Sequence, residues 1–373
     1  MTQAKKLRVA FMAPDLAGGG AERILITFLE CLNREHFEPM LVLCEKTGFY
    51  CQSVPKDVPV FSLEKKSRWS FLALIWRFKK WLKYNRPDIV ISFLWYADAI
   101  QLLGKTEGSH KSICSFHTVP SEIARDRLGW LKIKLLKSLY ARTDRILGVS
   151  KSVVDEINQL LLNGESAKTF VQHNPFEFDF ILKSAEQNQS SWSQEQKGRI
   201  VFVGRLEWVK GPDLFLDSLA LLPKRLEWRA KIIGTGSMHN ALLQQAESLG
   251  ISDKIDFEGF VKNPFPLIQQ ADLLVVTSRF EAFPSVIVEA LSLQTCAISF
   301  DCPTGPAELI DNENGVLISP GNINALAEAI QALIENPQLA GTMAQKGPNS
   351  VAHLASDKAT IMLEKHLAQT VNS

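Results

Sequence analysis

The chain has 373 residues, of which 46% are hydrophobic and 22% charged, at a mean hydropathy of zero; this excludes a disordered chain and predicts two domains of ordinary size. Six cysteines form no CxxC pair and no cluster with histidine, a spacing that disfavours zinc, a disulfide framework and an oxidising compartment. No uncharged apolar run of about 18 residues occurs, so neither a spanning helix nor a secretory signal is predicted.

The charge is unevenly divided along the chain, although the formal net charge is only +1. Residues 1–190 carry 27 basic and 20 acidic side chains, and residues 191–373 carry 14 and 20. A basic half can face anionic lipid, nucleic acid or a phosphorylated substrate, and composition alone does not choose among them.

Short β-rich runs alternate with longer helical patterns in the first half of the chain. The predicted strands are Leu7 to Ala13, Met40 to Cys44, Asp88 to Phe93, Ser112 to Phe116 and Arg145 to Val149, with a helix from Ala21 after the first of them. This rhythm is typical of βαβ units and a parallel sheet.

A glycine cluster, Gly18 to Gly20, follows the first predicted strand and opens a helix. Glycines there let backbone N–H groups approach a phosphate at the helix N-terminus. The dinucleotide fingerprint fails at its third glycine, where Arg23 stands, although Glu45 lies about where a ribose-binding carboxylate would. A nicotinamide dehydrogenase is therefore disfavoured, and an anion site and a plain tight turn both remain open.

A helix of about residues 68–86 is predicted to have two apolar features. At 100° per residue one stripe faces the core: Phe71, Leu74, Ile75, Phe78, Trp81 and Leu82. The opposite face gathers Arg68, Lys79, Lys80, Lys83 and Arg86 around Trp69, Leu72 and Trp76. Basic residues around exposed tryptophans are typical of interfacial helices, which predicts attachment to an anionic membrane. An ordinary basic surface or a protein-partner face is the alternative.

The alternating strand and helix pattern is interrupted near residues 174–198, where the polar stretch 184–198 indicates a linker. The rhythm then resumes with the predicted strands Arg199 to Val203, Ala230 to Ile233, Lys254 to Phe257, Asp272 to Thr277 and Cys296 to Phe300. We therefore expect an N-terminal domain over 1–175, a C-terminal domain over 196–349, and a helix of about 350–373 that returns to the first. Both are expected to be doubly wound and to face each other across a cleft.

Two motifs of the second half suit a sugar nucleotide. Arg205 and Lys210 flank the loop after the first strand, and such a pair of cations matches a diphosphate, with ordinary surface charge as the alternative. Glu281 lies just before a helix that Pro284 and Ser285 can begin, and Glu289 lies about a turn inside it. Two carboxylates suit two diols, one on a sugar and one on a ribose.

With these motifs in this order, the sequence resembles glycosyltransferase family 4, of GT-B fold, over nearly its whole length. The resemblance implies a retaining transferase that moves a hexose or N-acetylhexosamine from a nucleotide sugar, expected to be UDP-linked, to a lipid-linked, lipopolysaccharide or capsule glycan. It implies that Arg205 and Lys210 hold the diphosphate, Glu281 the sugar hydroxyls and Glu289 the ribose hydroxyls. His117 resembles the family's active-site histidine, near the transferred sugar.

The resemblance extends to further contacts and partners. Gly259-Phe260-Val261 resembles the stretch whose backbone meets the base, and the remaining implied donor contacts are Gly18, Gly19, Gly20, Val261, Phe283, Ser285 and Val286. No cofactor and no metal are expected, because protein cations and the helix N-terminus would face the leaving diphosphate. No nucleic acid partner is expected, and the implied place is peripheral, on the cytoplasmic face of the inner membrane.

Four positions depart from the family pattern. Ala282 and Gln294 stand where glycine is usual, Cys296 where proline is usual and Ala307 where arginine is common. Two other functions stay open from the sequence: a nucleotide-sugar epimerase or hydrolase of the same fold, and a catalytically silent nucleotide-binding partner protein. Product analysis separates the first from a transferase, and nucleotide binding without turnover would identify the second.

Overall fold

The computed structural model describes residues 5–17, 19–67, 69–125, 129–164, 166–187, 192 and 197–372. The chain forms two compact units, one of Met1–Phe176 with Leu354–Ser373 and the other of Glu177–His353. Each unit contains one sheet whose strand pairs are all parallel. The predicted α/β class, with two doubly wound halves, is confirmed.

The first unit has a seven-stranded sheet in the order β3-β2-β1-β4-β5-β6-β7. Its strands are β1 Leu7–Ala13, β2 Phe37–Leu43, β3 Val60–Ser62, β4 Ile89–Phe93, β5 Lys111–Phe116, β6 Arg145–Gly148 and β7 Thr169–Val171. Its helices are α1 Gly20–Cys31, α2 Phe71–Asn85, α3 Trp95–Gly104, α4 Pro120–Ala124, α5 Gly129–Tyr140, α6 Lys151–Leu160 and α14 Ser356–Asn372. Every residue of the central strand β4 is buried, as expected where helices cover both faces of a parallel sheet.

The second unit has a six-stranded sheet in the order β10-β9-β8-β11-β12-β13. Its strands are β8 Arg199–Val203, β9 Arg229–Ile233, β10 Ile255–Gly259, β11 Leu273–Val276, β12 Cys296–Phe300 and β13 Gly315–Ile318. Its helices are α7 Phe178–Ala185, α8 Pro212–Ala220, α9 His239–Ser248, α10 Phe265–Gln270, α11 Ser285–Ser292, α12 Ile323–Glu335 and α13 Pro337–Val351. Strand order reverses between β8 and β11, so the crevice at their carboxyl ends is the place where this kind of sheet binds ligands.

Helix α7 was not predicted, and it overlaps the polar stretch 184–198, predicted to be a linker, only at Ser184 and Ala185. Helix α7 occupies Phe178–Ala185, belongs to the second unit and contacts α10 and α11. Ile181 on this helix is fully buried, so α7 is stabilised by packing although its neighbourhood in the sequence is polar. The sequence pattern missed it because the helix is short and its apolar residues precede a long polar stretch.

The C-terminal helix begins later than the predicted residue 350. Helix α13 continues through Pro348 to Val351, and α14 starts at Ser356. Gly347 lets α13 approach α11 closely, because a Cβ at this position would overlap the Leu291 carbonyl oxygen. Helix α14 packs on α1 in the first unit and buries Leu363 and Leu367 in that unit's core.

Helix α2 has two different faces, one buried in the core and one exposed at the surface. It spans Phe71–Asn85 rather than 68–86, and Arg68 lies outside the described residues. Four members of the predicted core stripe are buried: Leu74, Phe78, Trp81 and Leu82. On the other face Leu72 and Trp76 are 78% and 64% exposed, and Trp69 just before the helix is 83% exposed. The opposite face therefore carries large apolar side chains at the surface.

Gln294 is one of five non-glycine residues at positive φ in the described chain, with φ of 56° just after α11. A left-handed backbone disfavours any residue with a Cβ by about 1 kcal/mol, so Gln294→Gly should raise the free energy of unfolding of the second unit by roughly that amount. Thermal unfolding should show a midpoint higher by about 2–4 °C. Gln294→Ala keeps the Cβ and should give no gain; an equal gain from both substitutions would contradict backbone strain.

Candidate functional site

The candidate site of the second unit lies at the end of its sheet where the carboxyl ends of the parallel strands meet. All strands of this sheet run in parallel, so the segments that follow β8, β9, β10, β11 and β12 meet at one edge. The predicted donor residues of this unit are distributed over the segments after β8, β10 and β11, together with the start of α11.

A cluster of charged residues lies beside β8 and β11, where the strand order of the sheet reverses. Lys210 Nζ donates to Glu281 Oε1 at 2.6 Å, and the hydroxyl of Ser278 donates to the same oxygen at 2.6 Å. The Lys210 side chain is 26% exposed and that of Glu281 is 7% exposed. In the described part of the chain no hydrogen bond to Glu281 Oε2 is formed, so the carboxylate keeps one oxygen available to accept from a hydroxyl.

The segment that carries Lys210 is fixed by a backbone contact with the neighbouring strand. Gly211 has φ of 64°, and a Cβ there would overlap the Thr277 carbonyl oxygen. The Thr277 hydroxyl donates to the Gly211 carbonyl at 2.7 Å. Only glycine fits both the left-handed backbone and the close approach. The sequence therefore places Lys210 at the β8–β11 crevice through the glycine that follows it.

Arg279 also joins these two segments. Its guanidinium forms a bidentate ion pair with Asp213, in which Nη1 lies 2.9 Å from Oδ1 and Nη2 lies 2.6 Å from Oδ2. Its Nη1 also donates to the Trp208 carbonyl at 2.6 Å, and its backbone N–H donates to the Val209 carbonyl at 2.8 Å. The sequence-based site omitted Arg279, Asp213 and Ser278; the only signal was that Ser278 and Arg279 lie in the same motif as Glu281.

Arg205 is the more accessible of the two predicted diphosphate cations. It is exposed, and its side chain forms no hydrogen bond or ion pair within the described chain. The nearby carboxylate of Glu207 is engaged by the hydroxyl and N–H of Ser237, which, with a smaller contribution from the Arg205 charge, lower the pKa of Glu207. Arg205 is thus a cation available to an anionic ligand.

Helix α11 supplies backbone donors beside this cluster. It begins at Ser285, after Pro284, as predicted. The N–H groups of Ser285 and Val286 have no acceptor within the helix and face the end where the helix dipole favours an anion. Phe283 is buried, and Glu289 is half-buried in the second turn. An anion at this end would meet N–H groups as well as side-chain cations.

The alanine at the family's glycine position fits the backbone without strain. Ala282 is not one of the described residues with positive φ, so its Cβ carries no conformational penalty. The hydroxyl of Thr304 donates to the Glu281 carbonyl, and Gly305, at φ of 96°, passes close to the ring of Pro284. The loop after β12 therefore supports the backbone of Glu281.

The segment implied to meet the base begins at Gly259, the last residue of β10, at the carboxyl end of the same sheet. Gly259 has φ of 67°, and its carbonyl accepts from the N–H of Gly234 at 2.8 Å. Phe260 is largely exposed and Val261 is half-buried. Their contact with a base stays a prediction.

The glycine cluster of the first unit is partly described, because Gly18 lies outside the described residues. Helix α1 begins at Gly20 with Gly19 as its N-cap. The carboxylate of Glu22 folds back so closely that a Cβ at Gly19 would overlap its Oε2. A carboxylate in the first turn complements the helix dipole. The Glu22 carboxylate therefore already lies at the N-terminus of α1. Donor binding by Gly19 and Gly20 stays a prediction.

His117 follows β5 at the carboxyl edge of the first sheet. Its Nε2 shares a hydrogen bond of 2.9 Å with the Ser115 hydroxyl, and its ring stacks on Phe93 at 5.4 Å between centroids. Burial lowers the pKa of His117 from 6.5 to about 4. The imidazole is therefore neutral at physiological pH and can exchange hydrogen bonds with hydroxyls. Its place near a transferred sugar stays a prediction.

The lowered pKa of His117 makes the pH dependence testable. The folded state disfavours the imidazolium, so neutral His117 should persist from pH 8 down to about pH 5 and become protonated only as the pH falls through about 4. An NMR titration of the histidine ring protons, with His117→Gln to assign the signal, should give a midpoint near 4. A midpoint near 6.5 would contradict the lowered pKa of His117.

The described residues contain neither a membrane-spanning helix nor a metal-binding cluster. None of their helices combines the length and apolar character needed to cross a membrane. The same part of the chain contains no group of three or more His, Cys, Asp or Glu residues arranged to hold a metal ion.

Two family profiles together match most of the chain. Residues 18–179 match the family described as Glycosyltransferase Family 4, and residues 183–350 match the one described as Glycosyl transferases group 1. The boundary between the matches lies close to the boundary between the two units at residues 176 and 177.

Curated proteins and solved structures are similar over nearly full length. A Campylobacter jejuni GalNAc-alpha-(1->4)-GalNAc-alpha-(1->3)-diNAcBac-PP-undecaprenol alpha-1,4-N-acetyl-D-galactosaminyltransferase is 28% identical, over 88% of this chain and 89% of that protein. The Escherichia coli lipopolysaccharide 1,6-galactosyltransferase is 26% identical, over 85% and 86%. The structure of Anabaena HepE in complex with UDP superimposes with a TM-score of 0.83 at 20% identity, over 97% of this chain and 100% of that chain, a likeness in fold.

Proposed function

We propose, from the premise that the chain belongs to glycosyltransferase family 4, that it transfers galactose or N-acetylgalactosamine from a UDP-sugar to a lipid-linked or lipopolysaccharide glycan. The observation that carries this proposal is the similarity, over more than four fifths of the chain, to two enzymes named for such acceptors. Both names specify a sugar of galacto configuration. The complex of HepE with UDP supports a uridine donor.

The described side chains suit the departure of a nucleoside diphosphate. In the reaction the bond from the anomeric carbon to the diphosphate oxygen breaks, a bond to the acceptor hydroxyl oxygen forms, and the hydroxyl proton leaves to solvent or the diphosphate. Negative charge grows on the leaving oxygen, where Lys210, Arg205 and the N-terminus of α11 supply fixed positive potential. Glu281 Oε2 accepts from a hydroxyl of the sugar, and Glu289 from the ribose diol.

Retention of configuration is part of the proposal. UDP-linked galactose and N-acetylgalactosamine are α-glycosides, and the C. jejuni relative is named for an alpha-1,4 linkage. An α donor that gives an α product reacts with net retention. An NMR coupling constant of the new anomeric proton near that of an α-glycoside supports this route, and a β-glycoside would exclude it.

A donor and acceptor screen tests the proposed substrates. The full chain is incubated with a panel of nucleotide sugars and undecaprenyl-diphosphate glycans or lipopolysaccharide cores, and products are identified by mass spectrometry. UDP-galactose or UDP-N-acetylgalactosamine should add one sugar residue to an acceptor. Transfer only from other nucleotide sugars would remove the galacto assignment, whereas release of free sugar with every acceptor would favour the hydrolase alternative.

The first unit offers a surface for a lipid-borne acceptor. Exposed lysines Lys79, Lys80 and Lys83 lie on α2 near Trp69 and Trp76. Helix α3 contacts both α2 and α5, and α5 exposes Trp130 and Leu135 among Lys132 and Lys134. We infer peripheral attachment to the cytoplasmic face of the inner membrane through this basic, tryptophan-bearing surface, since each basic residue near anionic lipid contributes about 1 kcal/mol.

Vesicle co-sedimentation tests the attachment. The wild-type chain should pellet with anionic phosphatidylglycerol vesicles at low salt and be released at high salt, because salt screens the charges. A variant with Trp69, Trp76, Lys79, Lys80 and Lys83 replaced by alanine should stay in solution. A control that replaces three exposed lysines elsewhere, Lys224, Lys346 and Lys365, should still pellet. Equal sedimentation of all three proteins, or none of the wild type, would exclude this surface.

A further inference from the structure

We propose that Arg279 is the positioning residue of the donor site, which holds the Trp208–Lys210 turn so that Lys210 meets Glu281. The inference rests on the proposed function for its effect on catalysis. Arg279 itself is argued to act through Lys210 and not to touch the substrate.

The contacts of Arg279 converge on the turn that ends at Lys210. The turn is a single 3-10 segment, Trp208–Lys210, between β8 and α8. Arg279 binds two successive carbonyls of this segment: its side chain donates to Trp208 O at 2.6 Å and its backbone N–H donates to Val209 O at 2.8 Å. Its guanidinium carbon also lies 4.6 Å from the centre of the Trp208 ring.

The ion pair with Asp213 fixes the guanidinium in this place. Asp213 is the second residue of α8, so the two-pronged pair ties the segment after β11 to the start of the helix that follows the turn. Both terminal nitrogens are engaged by a carboxylate, which balances their charge. This arrangement leaves the diphosphate to Lys210 and Arg205, and it gives Arg279 a structural connection with the cation at the site.

The geometry requires a guanidinium. A planar fork can grip a carboxylate with two parallel hydrogen bonds while one nitrogen also reaches a carbonyl, and an ammonium cannot reproduce that pattern. Arg279→Lys should therefore restore only part of what Arg279→Met loses.

The same sheet contains a matched control. Arg199 forms an ion pair with Asp272 at the amino ends of β8 and β11, with Nη2 2.8 Å from Oδ1. It connects the same two strands as Arg279, but at their amino ends instead of their carboxyl ends. Arg199→Met removes a similar ion pair and should lower stability without changing the Lys210 segment.

The first readout is amide hydrogen exchange, which needs no turnover. The N–H groups of Lys210 and Gly211 donate to Glu207 O at 2.9 Å and Trp208 O at 3.2 Å. Their exchange should be about tenfold faster or more in Arg279→Met than in the wild type, because local opening of the turn becomes easier. Arg199→Met should leave it unchanged. Equal exchange in the three proteins, or equal acceleration in both variants, would contradict the proposal.

The second readout is a double-mutant cycle on kcat/KM for sugar transfer. Arg279→Met should lower kcat/KM roughly 10- to 100-fold in the wild-type background but less than about threefold when Lys210 is already alanine, since the two residues act as one unit. A structural role without positioning would give the same factor in both backgrounds and would contradict the proposal. If the wild type transfers no sugar at all, the proposed function fails, and the exchange measurement still decides the role of Arg279.

Discussion

Lys210→Ala is expected to lower kcat for sugar transfer roughly 100- to 1000-fold, the loss typical of one preorganised donor to a developing negative charge. The ammonium faces the crevice at the carboxyl ends of β8 and β11 and is held there by Glu281 at 2.6 Å. Arg205→Ala should act in the same direction, because its exposed guanidinium is proposed to bind the same diphosphate. Steady-state kinetics with saturating acceptor measure both variants.

Stability needs a separate control in this experiment. Removal of Lys210 leaves the buried carboxylate of Glu281 without its cation, which should destabilise the second unit by about 2–3 kcal/mol. Lys105 forms a comparable pair with Asp144 at the amino edge of the first sheet, where its Nζ also donates to the Ser112 hydroxyl at 2.9 Å. Lys105→Ala should lose stability and keep its rate per folded molecule. Transfer by Lys210→Ala at the parent rate would exclude this lysine from the reaction.

Glu281→Gln is expected to lower kcat about 100-fold or more while UDP binds as tightly as before or more tightly. The amide keeps an oxygen that can accept from Lys210 and Ser278, but it loses the negative charge and replaces the free carboxylate oxygen by a donor. Removal of that charge beside Lys210 leaves the lysine more available to the diphosphate. Calorimetric titration with UDP and initial rates on the same preparation provide the two values.

The two values distinguish a sugar contact from a nucleotide contact. A fall in UDP affinity that matches the fall in rate would place Glu281 on the nucleotide and contradict its assignment to the sugar. Glu289→Gln is the useful comparison, because a ribose contact should weaken UDP binding itself. Glu289 is half-buried in the second turn of α11.

Buried strands with continuous apolar runs were predictable from the sequence, whereas three of the four edge strands, all but β10, were not. β8 and β12 match their predicted bounds, Arg199–Val203 and Cys296–Phe300. The strands β3, β7 and β13 were missed because each has three or four residues and lies toward an edge of its sheet, where few residues are buried. A short, half-buried strand leaves little hydrophobic pattern in the sequence.

The site residues were predictable by type, but their contacts were not. The sequence named Arg205, Lys210 and Glu281 from charge, spacing and resemblance. It could not predict that Lys210 and Glu281, 71 positions apart, form a hydrogen bond. The pair of Arg279 with Asp213, 66 positions apart, was missed for the same reason. Such contacts arise when parallel strands bring distant segments to one sheet edge, which local spacing does not record.

Backbone conformation was a second source of unpredicted detail. Ala282 and Gln294 look alike in the sequence as replacements of glycine, yet only Gln294 adopts a positive φ. The residue type alone could not separate a harmless replacement from a strained one, because φ depends on how the chain leaves α11.

The most direct test of the central claim is a mass balance on one reaction that contains the protein, a UDP-sugar and a lipid-linked glycan. Chromatography with mass spectrometry measures the acceptor, UDP, the nucleotide sugar and free sugar together. The proposed transferase predicts one UDP released for each sugar residue gained by the acceptor, with both signals reduced roughly 100-fold or more in Lys210→Ala. Free sugar in place of the glycosylated acceptor, an isomerised nucleotide sugar without UDP release, or UDP binding with no product from any donor and acceptor in the panel would contradict it.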